Sequence, residues 1–134
     1  MATRSTIWIK KSNGNYDGIY CHWDGSLDHN GVLLMENYQD INKVKGLIEL
    51  GSISSLDCEI VCPDGHTFDT PVQGAVVAYH RDRGEDLQIY RNITFDNITR
   101  YFEEYNYFFI DGKWYYTRND KNNLIDLKEA LKNL

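Results

Sequence analysis

Around Gly84 the chain gathers His80, Arg81, Asp82, Arg83, Glu85 and Asp86, entered through Tyr79 from the apolar run 75–78. Arginine forks bind phosphates or carboxylates through paired N–H donors, and neighbouring acids hold the forks in place or meet ribose hydroxyls. The pattern predicts that Arg81 and Arg83 contact an anionic partner, supported by Asp82 and Glu85 and flanked by Tyr79 and His80. The competing reading is a solvated turn whose internal ion pairs contribute little. A nuclease would use His80 as base with Arg81 or Arg83 on the scissile phosphate. Its acid–base partner would come from a distant position such as His22 or His66; a lone histidine beside arginines does not make such a constellation, and the expectation is a protein that is not an enzyme.

A second candidate is the stretch Tyr20-Cys21-His22-Trp23-Asp24-Gly25. Alternation along a strand sends Tyr20, His22 and Asp24 to one face and Cys21 and Trp23 to the other. Trp23 is then a core anchor for the hairpin, or else a surface ring. If His22 and Asp24 share a cleft with Arg81 and Arg83, the mixture of rings, guanidiniums and acids suits a nucleotide-like ligand.

Metal and nucleophile chemistry fit less well. Cys21, Cys58 and Cys62 are an odd count, which suits free thiols. With His22 and His66 they offer zinc-ligand types, but paired C-x-x-C knuckles are absent and a strand over 56–62 separates residues four apart too widely for one small ion. No metal and no cofactor are expected. Ser52, Ser54 and Ser55 follow Gly51 at a helix end, where serines satisfy frayed backbone groups.

These residues need elements to hold them. Residues 6–10 and 19–23 are β-prone runs joined through Asn13-Gly14, and 107–110 and 114–117 flank Asp111-Gly112-Lys113; both read as hairpins. Val32 to Met35 opens a short helix. Asp40 caps a second, carrying Ile41, Val44, Leu47 and Ile48 on one side before Gly51 ends it. Residues 74–80 and 87–91 read as strands of a hairpin whose loop is the charged run. Thr94 or Asp96 starts a helix with Ile98, Tyr101, Phe102 and Tyr105, and Asn123 starts a C-terminal one with Leu124, Leu127, Leu131 and Leu134 inward. The expected fold is a single α+β domain over residues 1–134, an antiparallel sheet built from hairpins with helices packed on one face.

Composition narrows the partners. The 134 residues carry 20 acidic against 14 basic side chains, a formal charge of −6 that opposes non-specific attraction to nucleic acid or anionic membranes. No run is long and apolar enough for a membrane span or a secretion signal, so a cytoplasmic setting is expected. Ten Tyr, five Phe and three Trp exceed what one small core needs. Such a surplus predicts contact surfaces and a homo-oligomer.

The segments Thr3-Arg4-Ser5-Thr6-Ile7, Tyr20-Cys21-His22-Trp23-Asp24-Gly25, Asn30-Gly31, Asn37-Tyr38, Leu47-Ile48-Glu49-Leu50-Gly51, Ser54-Ser55-Leu56, His80-Arg81-Asp82-Arg83-Gly84-Glu85 and Asp111-Gly112-Lys113-Trp114 span nearly the whole chain. In these the chain resembles a family of small proteins common in tailed bacteriophages and their prophages. The resemblance implies a setting in the host cytosol and a role in counter-defence, without an activity to carry over. Two modes compete. One is a sponge that sequesters a nucleotide immune signal, such as a cyclic ADP-ribose isomer or a cyclic oligonucleotide. The other is an inhibitor that binds a host defence protein, as CRISPR inhibitors do; a phage assembly accessory is the third reading.

Overall fold

Two turns fix the frame. In the computed structural model, which describes residues 2–134, β1 (Ser5–Lys10) and β2 (Tyr16–Cys21) pair antiparallel around Gly14 (φ 86°), and β6 (Tyr105–Ile110) and β7 (Lys113–Thr117) pair antiparallel around Asp111 (φ 50°) and Gly112 (φ 80°). Asp111-Gly112 is a two-residue turn whose successive positive φ angles match the twist of its strands, whereas the β1–β2 connection is a longer loop over residues 11–15 that needs one left-handed residue, Gly14. The hairpins join through a parallel pairing of β1 with β6, from Ser5 opposite Tyr105 to Ile9 opposite Phe109.

The α+β class holds, and the sheet is mixed. Its order is β4-β3-β2-β1-β6-β7-β8, with β3 (Ile53–Ser55) parallel to β2 and β4 (Val77–Ala78) antiparallel to β3; β8 (Ile125–Asp126) closes the far edge. The outer edge of β2 is shared: β3 meets it at Cys21, and β5 (Tyr90–Ile93) meets it at Gly18 and Tyr16.

Several expectations are corrected here. The strand expected over 74–80 shrinks to β4 and does not pair with 87–91; β5 crosses instead to β2, so the charged run is not a hairpin loop. Residues 53–55 form β3 rather than a helix end, and the strand expected over 56–62 reduces to one bridge between Glu59 and Ala75. The helix expected from Thr94 or Asp96 is a single 3-10 turn, Ile98–Tyr101, while Tyr105 belongs to β6.

Both faces of the sheet are covered, each by a different chemistry. On one, Ile7, Ile9, Ile19, Cys21, Tyr107 and Phe109 meet α1 (Val32–Asn37), α2 (Ile41–Glu49) and α4 (Leu127–Lys132). Asp40 caps α2 by accepting the Asn42 N–H at 2.9 Å, and Gly51 (φ 78°) ends it. On the other, Trp8, Tyr16 and Phe108 meet Tyr90, Phe95, Ile98, Tyr101 and Phe102 from the irregular 90–102 segment. The aromatic surplus therefore has a destination inside the chain. Seven rings, those of Trp8, Tyr16, Tyr38, Tyr107, Phe108, Phe109 and Trp114, are buried.

The C-terminal leucines do not share one face. Leu127 is fully buried and Leu131 packs beside it, whereas Leu124 turns to the aromatic side and Leu134 is exposed, because β8 occupies residues expected to be helical. Leu127→Ala is expected to cost about 2–4 kcal/mol. Urea denaturation checks this, and an unchanged midpoint would show that α4 does not secure the core.

Candidate functional site

The charged run folds as a short helix, α3 (Tyr79–Arg83), which follows β4 directly and stops at Gly84 (φ 73°). A left-handed residue at this position favours glycine, so the one glycine of the run ends the helix. Winding the run into a turn separates its two arginines.

Arg81 points into the protein. Its Nε donates to Asp82 Oδ1 (2.8 Å), Nη2 to Asp82 Oδ2 (3.1 Å) and to the Val76 carbonyl (2.8 Å), and Nη1 to the Ile60 carbonyl (2.5 Å). Asp82 is almost wholly buried and also accepts the Ala78 N–H at 2.8 Å. His66, fully buried at its side chain, completes the group. The Val72 N–H donates to His66 Nδ1 (3.0 Å), so the proton sits on Nε2 and is donated to Asp82 Oδ2 at 3.1 Å. The network ties the long segment 57–76 to β4 and α3. Arg81 and Asp82 are thus committed to the fold, and the expectation that Arg81 faces a ligand does not match where its donors go.

Arg83 points out. Its guanidinium lies 4.1 Å from the centroid of Phe68 and 5.1 Å from that of Tyr79, two rings themselves 5.6 Å apart, and it pairs with Glu85 at the exposed edge. About half of the Arg83 side chain remains open to solvent. Beside it, His80 Nδ1 donates to the Glu85 carbonyl at 2.7 Å, which leaves Nε2 turned to other partners.

The second stretch lies alongside. The His22 N–H bonds the Ile53 carbonyl and the Tyr79 N–H bonds the Ser52 carbonyl, so β3 carries His22 on one flank and α3 on the other. Tyr20 hydroxyl and His22 Nδ1 are 2.7 Å apart, and the His22 ring meets Trp23 edge-on at 4.7 Å. Tyr79 is close enough to act on the Tyr20 phenol, whose pKa burial raises against the opposing pull of Arg4. Trp23 is 43% exposed, so it is a surface ring rather than the core anchor of the hairpin; Cys21, behind it, takes the buried place. Asp24 is exposed, in a left-handed turn (φ 56°).

The structure therefore forms two groups flanking β3, Tyr20, His22 and Trp23 beside β2 and Tyr79, His80, Arg83 and Glu85 on α3 and its end, and turns Arg81 and Asp82 inward, away from both. Phe68 was missed as a member, and His66, read as a zinc-ligand type, proves to be the third member of the buried network with Arg81 and Asp82. Their signal is slight: one ring and one imidazole in a loop bounded by Pro63-Asp64-Gly65 and Pro71, with no periodicity to mark them. Among the described residues no group of three His, Cys, Asp or Glu side chains is placed to hold a metal, and no helix is long and apolar enough to cross a membrane.

Acid should loosen the network. Burial pushes the Asp82 carboxyl upward, but hydrogen bonds from Arg81, Ala78 N–H and His66, with the charge of Arg81, outweigh it and hold the pKa below the usual carboxylate range. A folded pKa below the unfolded one means that the unfolded chain takes up protons first, so stability falls as pH drops from about 4. Urea midpoints measured across that window should decline, and Asp82→Asn should flatten the decline.

Comparison with protein-family models, with curated protein sequences and with solved structures gives no match.

Proposed function

We propose that the chain is a non-enzymatic binding protein whose contact face is built on Arg83, and that it sequesters an anionic, nucleotide-like ligand. The observation that carries this reading is the guanidinium of Arg83 lying over Phe68 and Tyr79 with half its surface open. A cation held on a stacking platform offers a phosphate two donors and a planar base a ring to stack on, with little side-chain freedom left to lose. His80 adds an imidazole beside Arg83, and Tyr20, His22 and Trp23 stand across β3 from it. The likeness to tailed-phage proteins gives the setting: a counter-defence protein in the host cytosol acting as a sponge for a nucleotide immune signal, a role that self-association would serve by multiplying sites.

Native mass measurement and absorbance of the purified protein report the oligomeric state and any retained nucleotide together. Calorimetric titration with cyclic ADP-ribose isomers and cyclic oligonucleotides then tests the site. Arg83→Ala is expected to weaken binding by about ten-fold or more, since a charge-assisted contact is worth roughly 1.5–3 kcal/mol, while folding changes by less than about 1 kcal/mol. Equal affinity in the variant would remove Arg83 from the site.

The exposure of Trp23 supports a second reading. An exposed tryptophan also suits a protein partner, and the alternative is an inhibitor that docks Trp23 and Arg83 on a host defence protein. Trp23→Ala abolishing inhibition of a defence complex, with no nucleotide bound by the parent protein, would favour it.

A further inference from the structure

The fork of Arg83 already holds an anion. Its Nε and Nη2 both donate to one carboxylate oxygen of Glu85, two residues along the chain. Glu85 stands there because of how α3 ends. Gly84, in the left-handed region, turns the chain back, its N–H donating to the His80 carbonyl at 3.0 Å and the Glu85 N–H to the Tyr79 carbonyl at 3.2 Å. His80 Nδ1 then donates to the Glu85 carbonyl at 2.7 Å. The N–H and C=O of Glu85 are thus both tied to the first turn of α3, and only its side chain is left to move.

The contact joins a held cation to a held carboxylate. Arg83 rests on Phe68 and Tyr79, which restrict its guanidinium, and the helix cap fixes the origin of the Glu85 side chain. Each side chain keeps about half its surface in solvent, 49% for Arg83 and 46% for Glu85. An exposed ion pair of this kind contributes little to stability, so opening it costs the fold little. An anion from solution competes for the same two N–H groups. Asp86, the next residue, is also exposed but pairs with no cation among the described residues.

From this geometry we infer that Glu85 is a built-in competitor, an autoinhibitory carboxylate that leaves the Arg83 fork when the phosphate of a ligand takes its place. The inference rests on the reading of Arg83 as the contact residue. A simple anion exchanges one negative partner of the guanidinium for another and gains little. A nucleotide makes the same exchange and in addition stacks its base against the guanidinium, so Glu85 sets a threshold that the nucleotide passes and the inorganic anions around it do not. Once displaced, the carboxylate remains anchored close by and repels the bound anion, which raises the threshold further.

Isotope-labelled protein titrated with adenosine monophosphate and with inorganic phosphate tests the inference through the Arg83 Nε–H resonance and the amides of residues 79–86. Glu85→Gln and Glu85→Ala are each expected to tighten adenosine monophosphate by about ten-fold or more and to bring inorganic phosphate into the measurable range, at unchanged melting temperature. Asp86→Asn removes the same charge one residue further on and is expected to change affinity by less than about three-fold. A gain of affinity does not arise from a damaged fold. Equal affinity in the parent and both Glu85 variants, with the shifts abolished by Arg83→Ala, would overturn the competitor role and leave the Arg83 reading in place. So would an Asp86→Asn gain as large as that of Glu85→Gln. Absence of shifts in the parent and in both Glu85 variants up to millimolar nucleotide would overturn the two together.

Discussion

Asp82→Ala is expected to destabilise the protein by about 3–5 kcal/mol, the cost of leaving buried charged and polar partners uncompensated. The carboxylate receives Arg81 on both oxygens, the Ala78 N–H and the protonated Nε2 of His66, and all of these lose their acceptor at once. Arg81→Ala should cost nearly as much, because it also frees the Ile60 and Val76 carbonyls. Arg83→Ala, two residues away, should cost less than about 1 kcal/mol, since its partner Glu85 is half exposed. Urea denaturation of the three variants gives the comparison, and hydrogen exchange should show protection lost first over residues 57–76. An Asp82→Ala protein as stable as the parent would mean that segment 57–76 is held by its apolar contacts alone.

Gly18→Ala is expected to cost about 3 kcal/mol and to lower the melting temperature by roughly 10 °C. Gly18 faces Trp8 across the β1–β2 pairing, and a Cβ built on it would lie 2.2 Å from Trp8 Cε3 and 2.5 Å from Cδ2. The indole has nowhere to move. It stacks on Tyr90 at 5.6 Å and on Phe108 at 6.4 Å, and its Nε1 donates at 2.7 Å to Thr6 Oγ1, which donates in turn to Asn106 Oδ1 at 2.7 Å. Asn106 then caps the carbonyls of Glu103 and Arg118 at 3.0 and 2.9 Å, so displacing the ring disturbs a buried polar chain as well as a packed face. Trp8→Leu should absorb part of the added methyl, making the double variant more stable than the sum of the single ones predicts. Additive losses in thermal denaturation would place the strain elsewhere.

Both effects arise from contacts that local sequence does not carry, and the same distinction runs through the molecule. The hairpins at Asn13-Gly14 and Asp111-Gly112 and the Asp40 cap are local: the residues that need an unusual backbone angle or an orphan N–H are neighbours in the chain. Burial of Val44, Leu47 and Ile48 also follows from the period of α2 alone. The charged run shows the limit. Its residue types announced arginine forks and acids, yet identical side chains two positions apart took opposite roles. Ile60, Val76 and buried His66 converge on one side of α3, while Phe68 and the Tyr79 ring lie on the other. Helical winding turns residues two apart to different sides, and which side is inside depends on a segment about fifteen residues upstream. In the same way β5 crosses to β2, where Tyr90, Ile98 and Tyr101 cover the apolar face of Trp8 and Phe108. Residue types and spacing determined the turns, the caps and the chemistry on offer; the tertiary packing decided which of the charged groups hold the fold and which stay open to solvent, because burial is a property of the assembled sheet and not of any stretch of chain.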